Sequence, residues 1–191
     1  MENFKIAILC ASEKSNYFQL SNCFNLDIYT ASRSMRLFND NCPVICHPPC
    51  AQWSRLSHFS KVNVSDKNLA IECWEIMQRN GGIFEHPSGT SFFKYVNADK
   101  KNMISVDQHW WNFPARKRTL LYFHKYHPLA YPLNFNCYPG KVHINLTGES
   151  RSLGTLSFNH WLIDCIIQGQ PSARGRPAFI QKSKNDSSAI L

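Results

Sequence analysis

Apolar residues along the chain fall into short runs divided by polar, Pro- and Gly-bearing stretches, the rhythm of a sheet protein with few long helices. Phe4–Cys10 is an apolar run of strand length that gives way to Ser, Glu, Lys and Asn. Leu26–Thr30 and Pro43–Cys46 are two more such runs, while the residues up to Phe24 and over Ser32–Phe38 carry only weak helical spacing. Ser65–Asn80 is the clearest helix. Ser65 can cap it, Leu69, Cys73, Ile76 and Met77 recur at helical spacing, and Gly81-Gly82 supplies left-handed backbone to end it. Ile83–Glu85 follows as a strand and Thr119–His124 as another. Ser157–Ile167 is a second good helix, with Phe158, Trp161, Leu162, Cys165 and Ile166 on one face. Strand, loop, helix, strand in this order predicts a single compact α/β domain over 1–168, Rossmann-like, with a mostly parallel sheet of about five strands.

This layout places the polar residues that carry chemistry. Two consecutive prolines forbid a helix after Cys46, so Cys50 of His47-Pro48-Pro49-Cys50 falls on a loop at a strand's carboxyl end. Glu85-His86-Pro87 falls at the end of the next strand. Open α/β sheets bind ligands at such ends, so a thiol and a carboxylate converge on one crevice. A thiolate attacks an electron-poor carbon, and a carboxylic acid protonates a ring nitrogen as charge develops. Arg116 and Arg118, flanking Lys117, suit a phosphate or a base edge. Gln108-His109-Trp110-Trp111 sets a polar pair beside two indoles, which either stack on a base or pack in the core, and Asp107 is placed to orient His109 or Arg116. Cys42, Cys46 and Cys50 with His47, completed by Cys137 or His143, form a rival zinc reading. Pro43, Pro48 and Pro49 keep these residues off one helical face and their spacing departs from that of zinc knuckles, so no metal is expected.

Composition narrows the partners. The 191 residues carry 21 Lys and Arg against 13 Asp and Glu, a formal charge of +8, which favours a polyanionic partner such as DNA or a nucleotide. Arg174, Arg176, Lys182 and Lys184 against Asp186 alone make 169–191 a basic tail, rich in Gly, Pro and Ser and expected to be disordered. No apolar run approaches the ~18 residues that span a bilayer, so no membrane partner is expected. The first residues read as a strand and not as an export signal, so the eight cysteines are expected to be thiols in a cytoplasmic protein.

Against this background a resemblance emerges. Pro48-Pro49-Cys50-Ala51-Gln52-Trp53-Ser54 resembles the Pro-Pro-Cys-Gln-Gly-Phe-Ser signature of DNA cytosine-5 methyltransferases. Gly82–Pro87 is similar to the Glu-Asn-Val strand end of that family, and Phe113–Tyr122 to its Val-Pro-Gln-x-Arg-x-Arg stretch, in the same order. The resemblance implies base flipping, S-adenosylmethionine as cofactor, Cys50 as nucleophile at cytosine C6, and Glu85 as the group protonating N3. It further implies Arg116 and Arg118 as pocket residues, with Pro49, Gln52, Ser54, His86, Gln108, His109 and Lys117 around the substrate. Two departures stand beside it. Leu9–Ser15 replaces the family's glycine-rich turn, and the chain has no room for a full target-recognition domain. The same segments, with Val106–Trp111 and Thr155–Leu162, also resemble a group of short phage and prophage proteins. The expectation is a phage-type, methyltransferase-like protein. The alternative is a non-catalytic protein of the same fold that binds DNA or a protein partner and interferes with a host defence or methylation system.

Overall fold

The structure, a computed structural model, describes residues 4–54, 64–130 and 153–169. Cys137, His143 and the basic tail beyond Gly169 lie outside them. A six-stranded sheet of order β2-β1-β3-β4-β6-β5 runs through the centre. Its strands are β1 (Ile6–Leu9), β2 (Leu26–Ile28), β3 (Val44–Cys46), β4 (Gly82–Pro87), β5 (Met103–Asp107) and β6 (Arg118–His124). β1 to β4 pair in parallel, and β6 runs antiparallel between β4 and β5. The architecture is therefore mixed α/β with a mostly parallel sheet. The sheet has one strand more than expected. The extra strand is β5, whose short sequence Met-Ile-Ser-Val-Asp buries only Val106 and sits at an edge with one neighbour, so its apolar signal is weak.

Strand alternation sorts the core into two layers. Ile6, Ile8, Ile45, Ile83, Leu121 and Phe123 face helices α1 (Tyr17–Leu20) and the C-terminal helix, Leu156–Gln168, which packs on that side through Phe158, Trp161, Leu162 and Ile166. Ala7, Leu9, Val44, Cys46, Phe84 and Tyr122 face the opposite layer of α2 (Val64–Asn80) and α3 (Phe92–Tyr95), through Ala70, Cys73, Met77, Phe92 and Phe93. The C-terminal helix, α4, is capped by Thr155, whose Oγ1 accepts from Phe158 N at 3.2 Å, and it ends at buried Gly169. Trp111 belongs to this core, with its ring 4.9 Å from Trp161 and 5.2 Å from Phe158. Of the two readings for that indole, packing is the one realised. No helix among the described residues is long and apolar enough to cross a membrane.

The strand order reverses at β1. The chain leaves β1 for β2 on one side, then crosses to β3 on the other, which opens a crevice beyond the carboxyl ends of β1 and β3. Gly82 allows β4 to approach β3 closely. It takes φ +144, and a Cβ there would collide with the Val44 carbonyl.

Candidate active site

Several chain segments reach the crevice, among them α1 through Tyr17 and the start of α2 through Leu69. The turns after β1, β2 and β3 bring Cys10–Ser12, Thr30–Ala31 and His47–Cys50, and β4 ends there with Glu85 and Pro87. The reversed strand β6 begins where β4 ends, with Thr119 opposite Pro87, so Lys117 enters at the same rim. Leu153, Gly154 and Asn159 close the side next to α4. Together they enclose a cleft of about 600 Å³, within the size range of small-molecule sites.

The floor of the cleft is a chain of polar contacts. The His47 ring lies between two elements, with Nδ1 3.2 Å from Glu85 Oε2 and Nε2 2.9 Å from the Tyr17 hydroxyl. A carboxylate can only accept, so His47 donates from Nδ1, and in the neutral ring Nε2 accepts from Tyr17. Gln108, buried at the end of β5, donates from Nε2 to Glu85 Oε1 at 3.2 Å and to Thr119 Oγ1 at 3.0 Å. Burial works against an ionised Glu85, but the His47 hydrogen bond and charge, aided by Lys117, outweigh it and bring its pKa down to about 2. Glu85 is thus a carboxylate at neutral pH. Burial pushes the Cys50 thiol up and the Glu85 charge adds to this, while Lys117 opposes it. Burial lowers the Lys117 ammonium, with Glu85 and Cys50 acting in the other direction. Lys117 donates from Nζ to Leu153 O at 3.2 Å and lies 5.1 Å over the Phe113 ring. A thiol, a carboxylate and an amine thus share one desolvated cleft, where each group's charge depends on the others.

Of the residues singled out from sequence, Pro49, Cys50, Glu85 and Lys117 line this cleft, and Gln108 sits behind Glu85. Within the Arg116-Lys117-Arg118 run the middle residue faces inward. Arg116 is exposed, its Nε 3.8 Å from Asp107 Oδ2, and does not line the cleft. Arg118, also exposed, lines a second depression of about 420 Å³ with Ser54, His86, Ser88 and Thr90. Cys50 and Pro87 border both depressions. His86 lies on the opposite side of the strand from Glu85. It is fully buried, stacked 5.4 Å from Phe92, with Nδ1 2.7 Å from Thr90 Oγ1, and burial lowers its pKa to about 4. His109 donates from Nδ1 to Phe113 O at 2.8 Å and braces the turn after β5. Gln52 faces a third depression, with Trp53, Lys67, Lys94 and Tyr95.

Cys46 is buried on the α2 side, its Sγ 3.7 Å from Cys73 O, whereas Cys50 lines the cleft. The evenly spaced cysteines therefore serve separate places. Sequence reasoning places Tyr17 just after the first strand, where a nucleotide-binding turn would be, but it missed the contact of Tyr17 with His47 and the pairing of His47 with Glu85. The signal for His47 was present, since it is the first residue after β3 and so stands at a strand's carboxyl end, but its neighbouring cysteines drew it into a metal reading. The Tyr17 contact carried no such signal, because a short helix folded back over the sheet makes it. Compared with models of known protein families, with curated protein sequences and with solved structures, the chain matches none.

Proposed function

We propose that the protein is a Rossmann-like, methyltransferase-like protein acting on a cytosine-type base in DNA or a nucleotide, with Cys50 as nucleophile. The observation that carries this reading is the convergence of Cys50, Glu85 and Lys117 on one cleft at the point where the strand order reverses. Cysteine adds to an aromatic ring only if the ring is made electron-poor by protonation or strong hydrogen bonding at a ring nitrogen, and Glu85 is the group in the cleft suited to pass a proton to that nitrogen, once it has received one. Lys117, whose burial favours the neutral amine, is suited to take the proton that leaves Cys50.

The residues of the cleft also fit S-adenosylmethionine. Beyond Cys50 the cleft continues past Ser12, Ser15, Thr30 and Ser34, whose hydroxyls suit an amino-acid and ribose moiety, and past Ala31, Met35 and Leu69, which suit a purine ring. Cys10 takes φ +60, the left-handed conformation that glycine favours, so the chain turns sharply after β1 at the mouth of the cleft. When bound, the cofactor supplies an electrophilic methyl group. Calorimetry with S-adenosylmethionine or its demethylated product tests the fit. Binding is expected, and lost in Ala31→Trp, which fills the purine end. Absence of binding by the wild-type protein overturns the methyl-transfer reading.

One observation favours the second reading, a protein of this fold that binds without turnover. The Cys50 thiol is raised by burial and by Glu85, so it rests as a thiol and not as a nucleophilic thiolate. Under that reading the same cleft occupies a base or a protein segment, and Cys50→Ser binds DNA as tightly as wild type.

A further inference from the structure

We propose that His47 is the proton reservoir of the cleft, a positioning residue that acts through Glu85, with Tyr17 setting the orientation of its ring. The inference rests on the reading of the cleft as a base-modifying site and assigns the source of a proton that Glu85 does not itself hold. Among the described residues, Tyr17, Glu85, Lys117 and Cys50 are titratable groups that share the cleft with the ring. Tyr17 from α1 stands 2.9 Å from Nε2, and Glu85 from β4 stands 3.2 Å from Nδ1. Lys117, entering before β6, reaches the same cleft. Tyr17 is buried, while the imidazole keeps a fraction of its surface exposed in the cleft.

This geometry separates the two duties of a general acid. Glu85 is held as a carboxylate, which accepts from a ligand but has no proton to give. An imidazolium at His47 has one, on the nitrogen aimed at Glu85. As negative charge develops on the ligand, the proton on His47 Nδ1 passes to Glu85 Oε2 and Glu85 delivers a proton to the ligand ring nitrogen. The imidazolium becomes neutral imidazole, the ring nitrogen gains one proton, and the Glu85 carboxylate is regenerated. Nδ1 is the nitrogen left free, while Nε2 keeps its hydrogen and goes on donating to the Tyr17 hydroxyl oxygen, which holds the neutral ring in the same orientation. Solvent in the cleft restores the proton.

The test uses full-length protein and DNA in which every cytosine is 5-fluorocytosine, so that no target sequence is assumed, with S-adenosylmethionine present. Covalent protein–DNA adduct is read on a denaturing gel. The wild type is expected to form adduct, and His47→Ala to form it at least 100-fold more slowly. Added imidazole, which carries a proton near neutrality, is expected to restore the rate, whereas pyrazole, of the same shape but far less basic, is not. A merely structural role predicts rescue by both azoles or by neither, and either result overturns the relay, as does a His47→Ala rate equal to wild type. If the wild type forms no adduct, the base-modifying reading fails and the relay falls with it. A second measurement examines the pair directly, using the ¹³C signal of the Glu85 carboxyl, assigned by its loss in Glu85→Gln. It should stay flat from pH 8 to 4.5 in the wild type and titrate within that range in His47→Ala, where the largest opposition to burial is gone and chiefly Lys117 remains. Superimposable curves in the two proteins overturn the assignment.

Discussion

Glu85 and His86 are neighbours in sequence with opposite fates, because successive strand residues point to opposite faces. Glu85 enters the cleft and is held ionised by His47, while His86 is buried neutral against Phe92. Each makes a distinct contribution to stability against pH. The His86 pKa falls from 6.5 to about 4 on folding, so its contribution is complete above 6.5 and is lost as pH falls towards 4, where the unfolded chain takes up the proton first. The Glu85 pKa falls from 4.5 to about 2, so its contribution is complete above 4.5 and is lost as pH falls towards 2. Each is worth at most about 3 kcal/mol at neutral pH. Urea midpoints measured from pH 7 to 4.5 should therefore decline for the wild type, and in His86→Gln that decline should shrink. An unchanged slope would contradict the burial of a neutral His86. The placement of Cys50 and Glu85 at the cleft was legible because both stand at strand ends, a position that sequence punctuation reveals. The inward placement of Lys117 over Arg116 was not, since three adjacent cations give no periodic signal and only the register of β6 decides between them.

Among the elements, β6 does most to assemble the site. Its reversal turns the segment before it into a rim of the cleft, which a fully parallel sheet would have placed at the far edge. The prediction follows that Lys117→Met weakens adduct formation and ligand binding at least 10-fold, while Arg116→Ala, whose side chain is exposed beside Asp107, changes them less than 2-fold. Equal effects of the two would mean that the run acts as a surface charge. The other element-scale constraint is the β3–β4 contact. Gly82→Ala must push Val44 away or twist the strand and should destabilise the fold by about 3 kcal/mol or more, read as a fall in urea midpoint. The four parallel strands and the two long helices were readable from their apolar runs and their turns. Edge strand β5 was not, because one buried residue in five gives no alternation to count. The four-residue α1, whose tyrosine completes the site, is too short to carry a helical period.

At the scale of the whole molecule, the +8 charge and the cleft are separate features that a nucleic-acid substrate would bring together. If the substrate is DNA, backbone contacts by exposed cations such as Arg116 and Arg118 would release counterions, so affinity should fall steeply, by at least 10-fold, between 50 and 200 mM salt. A flat response would remove the polyanion from the account and leave a free nucleotide or a protein as the occupant. The sheet explains how a thiol, a carboxylate and an amine are presented together, since ends of parallel strands and the start of one reversed strand meet at a single edge. The central claim is that this edge performs thiol addition to a base. It is tested most directly by incubating wild-type protein and Cys50→Ser with fully 5-fluorocytosine-substituted DNA and S-adenosylmethionine and looking for a complex that survives denaturation. The account predicts such a complex for the wild type and none for Cys50→Ser. A complex of equal yield with both proteins, or none with the wild type, would contradict it.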